Sequence, residues 1–277
     1  MRTVAILAYV VLAGSVHAAD ASASRHELVE SFPSHALAGR LHFEVYLPSA
    51  YDQTQRRYPV IYVLHGLPAG EQSFQQSAAF VADALQAMHR RAIVVAPQGA
   101  RDNDIDPEYH DWGTGRNWET ALTRELPAAV DARFRTIRSR AGRALVGFSA
   151  GDYGASVLGL HHLGAFAVVE SWSGYFHATD PTGHYAVDLG SPAKNGRANV
   201  HGLVQQLRRA FRAQPTYFAF YVGDKDFFAP ENIRLHRELV QARVRHTFRI
   251  YHGGHQVSLW KKEAPQWLGR ALAHLAH

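Results

Sequence analysis

Residues 143–156 read RALVGFSAGDYGAS. "RALVGF" has the continuous apolar character of a buried strand, and "AGDYGAS" suits a helix, so one element hands over to the other at Ser149. Serine favours neither element, yet here it stands between Gly147 and Gly151. G-x-S-x-G at a strand-to-helix junction suits a nucleophile on a very tight turn. Side chains two residues to either side would collide, hence the glycines, and the helix start aims N–H groups at the hydroxyl. The competing reading is a serine that merely caps a helix. What the rest of the chain supplies decides between them.

Working outward, "HFEVYLP" (42–48) alternates like a half-buried strand, and "YPVIYVLHG" (58–66) is a β-branched run ending in glycine. A helix is expected over about 72–90, a buried strand at 91–99 and a helix at 117–134 whose start Pro127 resets or kinks. Strands at 166–174, 217–226 and 246–255, with helices near 231–243 and 257–275, complete the alternation. This order predicts a mostly parallel central sheet with helices on both faces. The first two strands lack an intervening helix and are expected to form an antiparallel hairpin at one edge. Residues 175–213 break the alternation and are expected to cross over the top of the sheet, ending in a short helix.

The 277 residues, 47% hydrophobic and 19% charged, suit one large globular domain over 19–277. No repeat of 20–50 residues is present. The net charge of +5 is scattered, and the densest run, "RFRTIRSRAGR" (133–143), reads as a solvated helix end rather than a nucleic-acid surface. Residues 1–18 have a positive start at Arg2, a short apolar stretch and a small-residue end at Ala18, the pattern of a cleaved signal peptide. A secreted or periplasmic protein is expected, with no stable membrane insertion after cleavage. With no cysteine there is no disulfide, thiol nucleophile or thiolate metal site.

A serine hydroxyl needs a base. Eighteen histidines offer chance matches, and position selects among them. His255, on the Gly-Gly loop after the last strand, lies where ligands gather in such sheets, and His252 is its near competitor. The orienting acid should follow the preceding strand, where "YVGDKDFF" offers Asp224 and Asp226. The order serine, aspartate, histidine is that of hydrolases with such a sheet. An oxyanion hole needs two preset donors, and the N–H groups of Ala150 and of Leu67, after "YVLHG", are the candidates. Metal chemistry at "HH" (161–162) or at His252 and His255 is disfavoured, because adjacent histidines do not readily converge on one ion. No metal or organic cofactor is expected.

"YVLHGLPAG", "NWETALTRELPAAVDARF", "GFSAGDYGAS", "GDKDFF…EN" and "YHGGHQVSLW" together resemble the esterase D / putative-esterase family of α/β-hydrolases, from about residue 40 to the C-terminus. That family includes feruloyl and carbohydrate-ester esterases, S-formylglutathione hydrolase and mycolyltransferases. The resemblance implies an α/β-hydrolase fold, Ser149 as nucleophile, His255 as base and Asp226, rather than Asp224, as acid. It also implies Leu67 and Ala150 as oxyanion donors. Asp152-Tyr153 departs from the small residues usual there, which makes Tyr153 a candidate for the rim. The loop at 100–118 offers Trp112 and Arg116 as substrate contacts, with Arg101 and Trp118 beside them; Trp118 equally suits packing of the next helix. The expected substrate is a small-molecule or carbohydrate ester, without nucleic acid as partner. Acyl transfer of the mycolyl type is the alternative, and a non-catalytic extracellular binding protein a more distant one.

Overall fold

The computed structural model describes residues 26–67, 69–101, 109–180 and 185–277. The expected signal peptide, residues 1–18, lies outside them. No helix among the described residues is long and apolar enough to cross a membrane. Among the described residues, eight strands form one sheet in the order β1-β2-β4-β3-β5-β6-β7-β8. They are β1 (His26–Ser34), β2 (Gly39–Leu47), β3 (Val60–Leu64), β4 (Ile93–Pro97), β5 (Arg143–Phe148), β6 (Val168–Trp172), β7 (Tyr217–Gly223) and β8 (Thr247–Tyr251). From β4 through β8 every pairing is parallel.

The antiparallel edge is present, but its partners differ from expectation. β2 pairs with β1, from His26↔Leu47 to Ser34↔Gly39, and with β4, while β3 sits further in, between β4 and β5. The hairpin expected between 42–48 and 58–66 does not form. β3 is buried along its whole length and needs a neighbour on each side, whereas β1 tolerates Pro33 because it lies at the edge.

Alternate residues of the inner strands feed two apolar layers. Val60, Tyr62 and Leu64 face one, and Ile61 and Val63 the other. The first layer is covered by α3 (Leu126–Arg133), α4 (Ala150–His161), α6 (Val200–Ala213) and α7 (Ala229–Gln241). The second is covered by α1 (Ala79–Ala87) and α8 (Val257–Ala273). α1 is shorter than the sequence suggests, because Gln76 adopts φ 57° and its N–H bonds Glu44 instead of continuing a helix. α2 (Trp118–Thr120), a π turn at Ala121–Glu125 and α3 form one continuous helical run, and Pro127, inside that run, follows directly on the widened turn. The excursion after β6 carries α5 (Pro192–Arg197) and the 14-residue α6. Asn199 caps α6 by accepting the His201 N–H at 3.0 Å.

Candidate active site

Ser149 joins β5 to α4 with φ 57° and ψ −126°, a conformation that strains any residue bearing a side chain. The flanking glycines make this turn possible. A β-carbon at Gly147 would lie 1.8 Å from the Gly151 carbonyl oxygen, and one at Gly151 would lie 2.0 Å from that of Leu64. The Ser149 N–H donates to Trp172 O at 3.1 Å, tying the turn to the end of β6.

Two loops at the same ends of β7 and β8 meet this hydroxyl. His255 Nε2 lies 2.9 Å from Ser149 Oγ, and His255 Nδ1 lies 3.0 Å from Asp226 Oδ2. Asp226 is 4% exposed, and its other oxygen accepts the Phe228 N–H at 2.9 Å. A carboxylate only accepts, so Nδ1 carries the imidazole proton and Nε2 turns its lone pair to the serine hydroxyl. Phe227, Phe228 and Trp260 surround the imidazole with ring centroids 5.0–5.3 Å away. The competing pair from the sequence is also found together, but elsewhere: His252 Nδ1 sits 3.1 Å from Asp224 Oδ2, with side chains 78% and 44% exposed. The Gly253 N–H and His252 hold the Asp224 carboxyl below its ordinary range.

The loop after β3 passes over the serine, since a β-carbon at Gly66 would lie 2.9 Å from that of Ser149. Leu67 follows, half-buried against the core, and Ala150 opens α4 on the other side. Tyr109 donates its hydroxyl to the His65 carbonyl at 2.7 Å, and His65 Nδ1 bonds the Gly66 carbonyl at 2.9 Å. Burial lowers the His65 pKa, which keeps that ring neutral.

Tyr153 is not at the rim. It is fully buried, donates its hydroxyl to Ala198 O at 2.7 Å, accepts from His110 Nε2 at 2.7 Å and stacks on Tyr175. Four residues beyond Ser149 on a helix, its side chain turns into the core and pins the excursion to α4, so the substrate role expected for it is withdrawn. Trp112 and Arg116 lie on a small turn closed by the Asp111↔Asn117 bridge, with the guanidinium 6.0 Å from the indole centroid. Trp112 packs partly against the core. Trp118 is wholly buried, and Arg101 bonds the carbonyls of Leu37 and Gly115. His162 bonds Glu119 at 2.6 Å, His161 lies 3.7 Å from the same carboxylate, and no group of three metal-binding side chains occurs among the described residues.

Two buried polar residues, Asp152 and Asn232, have roles that the sequence did not assign. Asp152 Oδ2 accepts the Gly174 N–H at 2.9 Å, while Asn232 Nδ2 donates to Gly174 O at 2.8 Å and to Phe228 O at 3.0 Å. Both are fully buried. They hold Gly174 by its N–H and its carbonyl and so join the serine turn to the aspartate loop. Burial raises the Asp152 pKa well above its ordinary value. An asparagine keeps an oxygen for the Gly174 N–H, so Asp152→Asn should leave activity nearly unchanged. Asp152→Ala, which strands the Gly174 N–H, should cost about 1–3 kcal/mol in urea unfolding.

Glu231 stands beside Asn232 in the motif "EN". It accepts from Phe176 N at 3.0 Å and His177 Nδ1 at 2.7 Å, with His201 Nε2 at 3.4 Å. Burial alone would raise its pKa, but His177 and His201 outweigh it and lower the value from 4.5 to about 2. A depressed folded-state pKa adds stability above the unfolded value and loses it as pH falls through the folded one. Glu231→Gln should thus destabilise by about 2–3 kcal/mol at neutral pH. The gap to wild type should close in melts between about pH 4.5 and 2.

The model of the family described as "Putative esterase" matches residues 34–271. Esterase Rv1288 of Mycobacterium tuberculosis (strain ATCC 25618 / H37Rv) is 31% identical over 143 residues, 52% of this chain and 31% of the relative. The match thus spans under a third of that relative's length. A solved ferulic acid esterase superimposes with a TM-score of 0.76 at 23% identity, covering 90% of this chain and 98% of its own. An S-formylglutathione hydrolase (FrmB) from Staphylococcus aureus gives 0.72 at 18% identity, covering 89% and 98%. These neighbours share the α/β-hydrolase fold, and with a family match running from β1 to the last turns of α8, the chain belongs to the "Putative esterase" family.

Proposed function

We propose that this protein is a serine carboxylesterase that hydrolyses feruloyl or carbohydrate-type esters through an acyl-serine intermediate. The observation that carries the reading is the contact series Ser149 Oγ, His255 Nε2 at 2.9 Å, and Asp226 Oδ2 3.0 Å from the same ring. His255 takes the serine proton as Oγ attacks the ester carbonyl, then delivers it to the departing alcohol. Asp226 holds the ring's tautomer and stabilises the imidazolium. The Leu67 and Ala150 N–H groups receive the oxyanion, and water attacking the acyl-serine by the reverse route releases the acid.

Tyr109→Phe frees the His65 carbonyl and loosens the loop that presents Leu67. It should lower kcat about tenfold, with KM little changed in steady-state assays. The apolar stretch ending at Ala18 supports export, testable by whether the protein collected outside the cytoplasm begins at Ala19.

The deciding experiment is fluorophosphonate labelling combined with p-nitrophenyl esters and methyl hydroxycinnamates, with and without trehalose. Labelling at Ser149 and acid release without acceptor are expected. Turnover only with acceptor would replace hydrolysis by acyl transfer, and neither label nor turnover would leave a binding protein.

A further inference from the structure

We infer that a cleft at the end of the sheet opposite Ser149 binds an amphiphilic anion: a phosphate, sulfonate or carboxylate carried on an alkyl or aromatic body. The cleft has a volume of about 870 Å³ and is lined by the start of β7, the segments before β5 and β8, and the end of α6. Ser149, Asp226 and His255 follow the opposite ends of β5, β7 and β8, so occupation of the cleft leaves the serine free.

Its walls bring Arg208 and Arg212 of α6 together with Arg243 and Arg245, between α7 and β8, and no Asp or Glu lines it. All four are exposed, and their guanidinium groups have no hydrogen-bond or ion-pair partner among the described residues. The contrast with the basic run at 133–143 is informative. There Arg133 pairs with Glu30, Arg143 with Asp131, Arg135 donates to the Tyr51 carbonyl, and Arg140, which itself borders the cleft, donates to the carbonyls of Leu163, Phe166 and Pro215. Four of the five arginines in that run are thus engaged within the fold, while the four from α6 and the segment before β8 are not.

The dipole of α6 accounts for Arg212 in its last turn. It does not account for Arg208 one turn earlier, where like charges at i and i+4 repel. Arg243 follows α7, whose own dipole favours a cation there, but it does so with φ 55°, a left-handed conformation that favours glycine.

The floor specifies the rest of the ligand. Phe211 and Tyr217 are half-buried in it, and Tyr217 stacks on His274 with centroids 3.9 Å apart. A bare inorganic anion would leave this surface unused, and a neutral amphiphile would leave the guanidinium groups unpaired. A molecule with both parts meets both.

Calorimetric titration of the full chain with octyl phosphate, below its micelle-forming concentration, tests the assignment. One equivalent should bind. Arg208→Ala combined with Arg245→Ala should weaken it roughly tenfold or more, with turnover of p-nitrophenyl acetate unchanged. Arg243→Gly should weaken binding while raising Tm, because it removes the charge and the backbone strain together. Octyl glucoside should not bind, and inorganic phosphate should compete at least about tenfold less well than octyl phosphate. Absence of saturable binding, wild-type affinity in the arginine variants, or equal affinity for either control compound would overturn the site.

Discussion

Ser149→Ala is expected to lower kcat for p-nitrophenyl acetate by about 10⁴–10⁶, with KM little changed, and to abolish fluorophosphonate labelling. Every other group at the site would remain. His255 would keep its bond to Asp226, and the backbone donors at residues 67 and 150 would keep their places, so substrate would still dock. Only the atom that forms the acyl bond would be missing, and the residual rate would be that of water attacking beside a preset oxyanion hole. Ser149→Gly should show the same loss with a higher Tm. Glycine adopts φ 57° and ψ −126° readily, whereas the serine holds that geometry under strain set by its neighbours. Opposite movements of activity and stability would mark the strain as serving the hydroxyl's position. A fall in kcat of less than about tenfold in Ser149→Ala would place the nucleophile elsewhere and end the esterase reading.

Strands buried on both faces were plain in the sequence, because β3, β4 and β5 are short apolar runs punctuated by glycine or proline. β1 was not. Its "HELVESFPS" mixes glutamates and a proline into an edge strand whose pairing comes from the adjacent β2 rather than from its own pattern. The insertion of β4 between β2 and β3 is a non-local choice that no window of sequence expresses. Ser149, Asp226 and His255 were legible because each follows a strand and their order along the chain is informative. Tyr153 misled because helix phase, which decides whether a residue near the site faces inward, depends on where α4 sits against its neighbours. Asp152 stood out only as a departure from the small residues usual at that place, yet the fold encloses it, accepting the Gly174 N–H.

Asp226→Asn is expected to cost about 10³–10⁴ in kcat/KM, while Asp224→Asn, two residues away, changes it by no more than about twofold. The asymmetry follows from the hydrogen bonds each carboxylate accepts. Asp226 uses both oxygens, one for the Phe228 N–H at 2.9 Å and one for His255 Nδ1 at 3.0 Å. An amide offers one acceptor and one donor. If its oxygen keeps the buried Phe228 N–H, its NH₂ faces Nδ1 and drives the imidazole proton to Nε2. An N–H would then point at Ser149 Oγ, and the ring could no longer take the serine proton. Turning the amide over restores the tautomer, but sets its NH₂ against the Phe228 N–H at a side chain buried from solvent. Either orientation loses. Asp224 has solvent around it, so its amide could satisfy Gly253 and release His252 without consequence for the serine. Paired pH profiles of kcat/KM for the two variants check this directly. A large loss in Asp224→Asn with a silent Asp226→Asn would move the acid, and with it the base, to the exposed pair at 224 and 252.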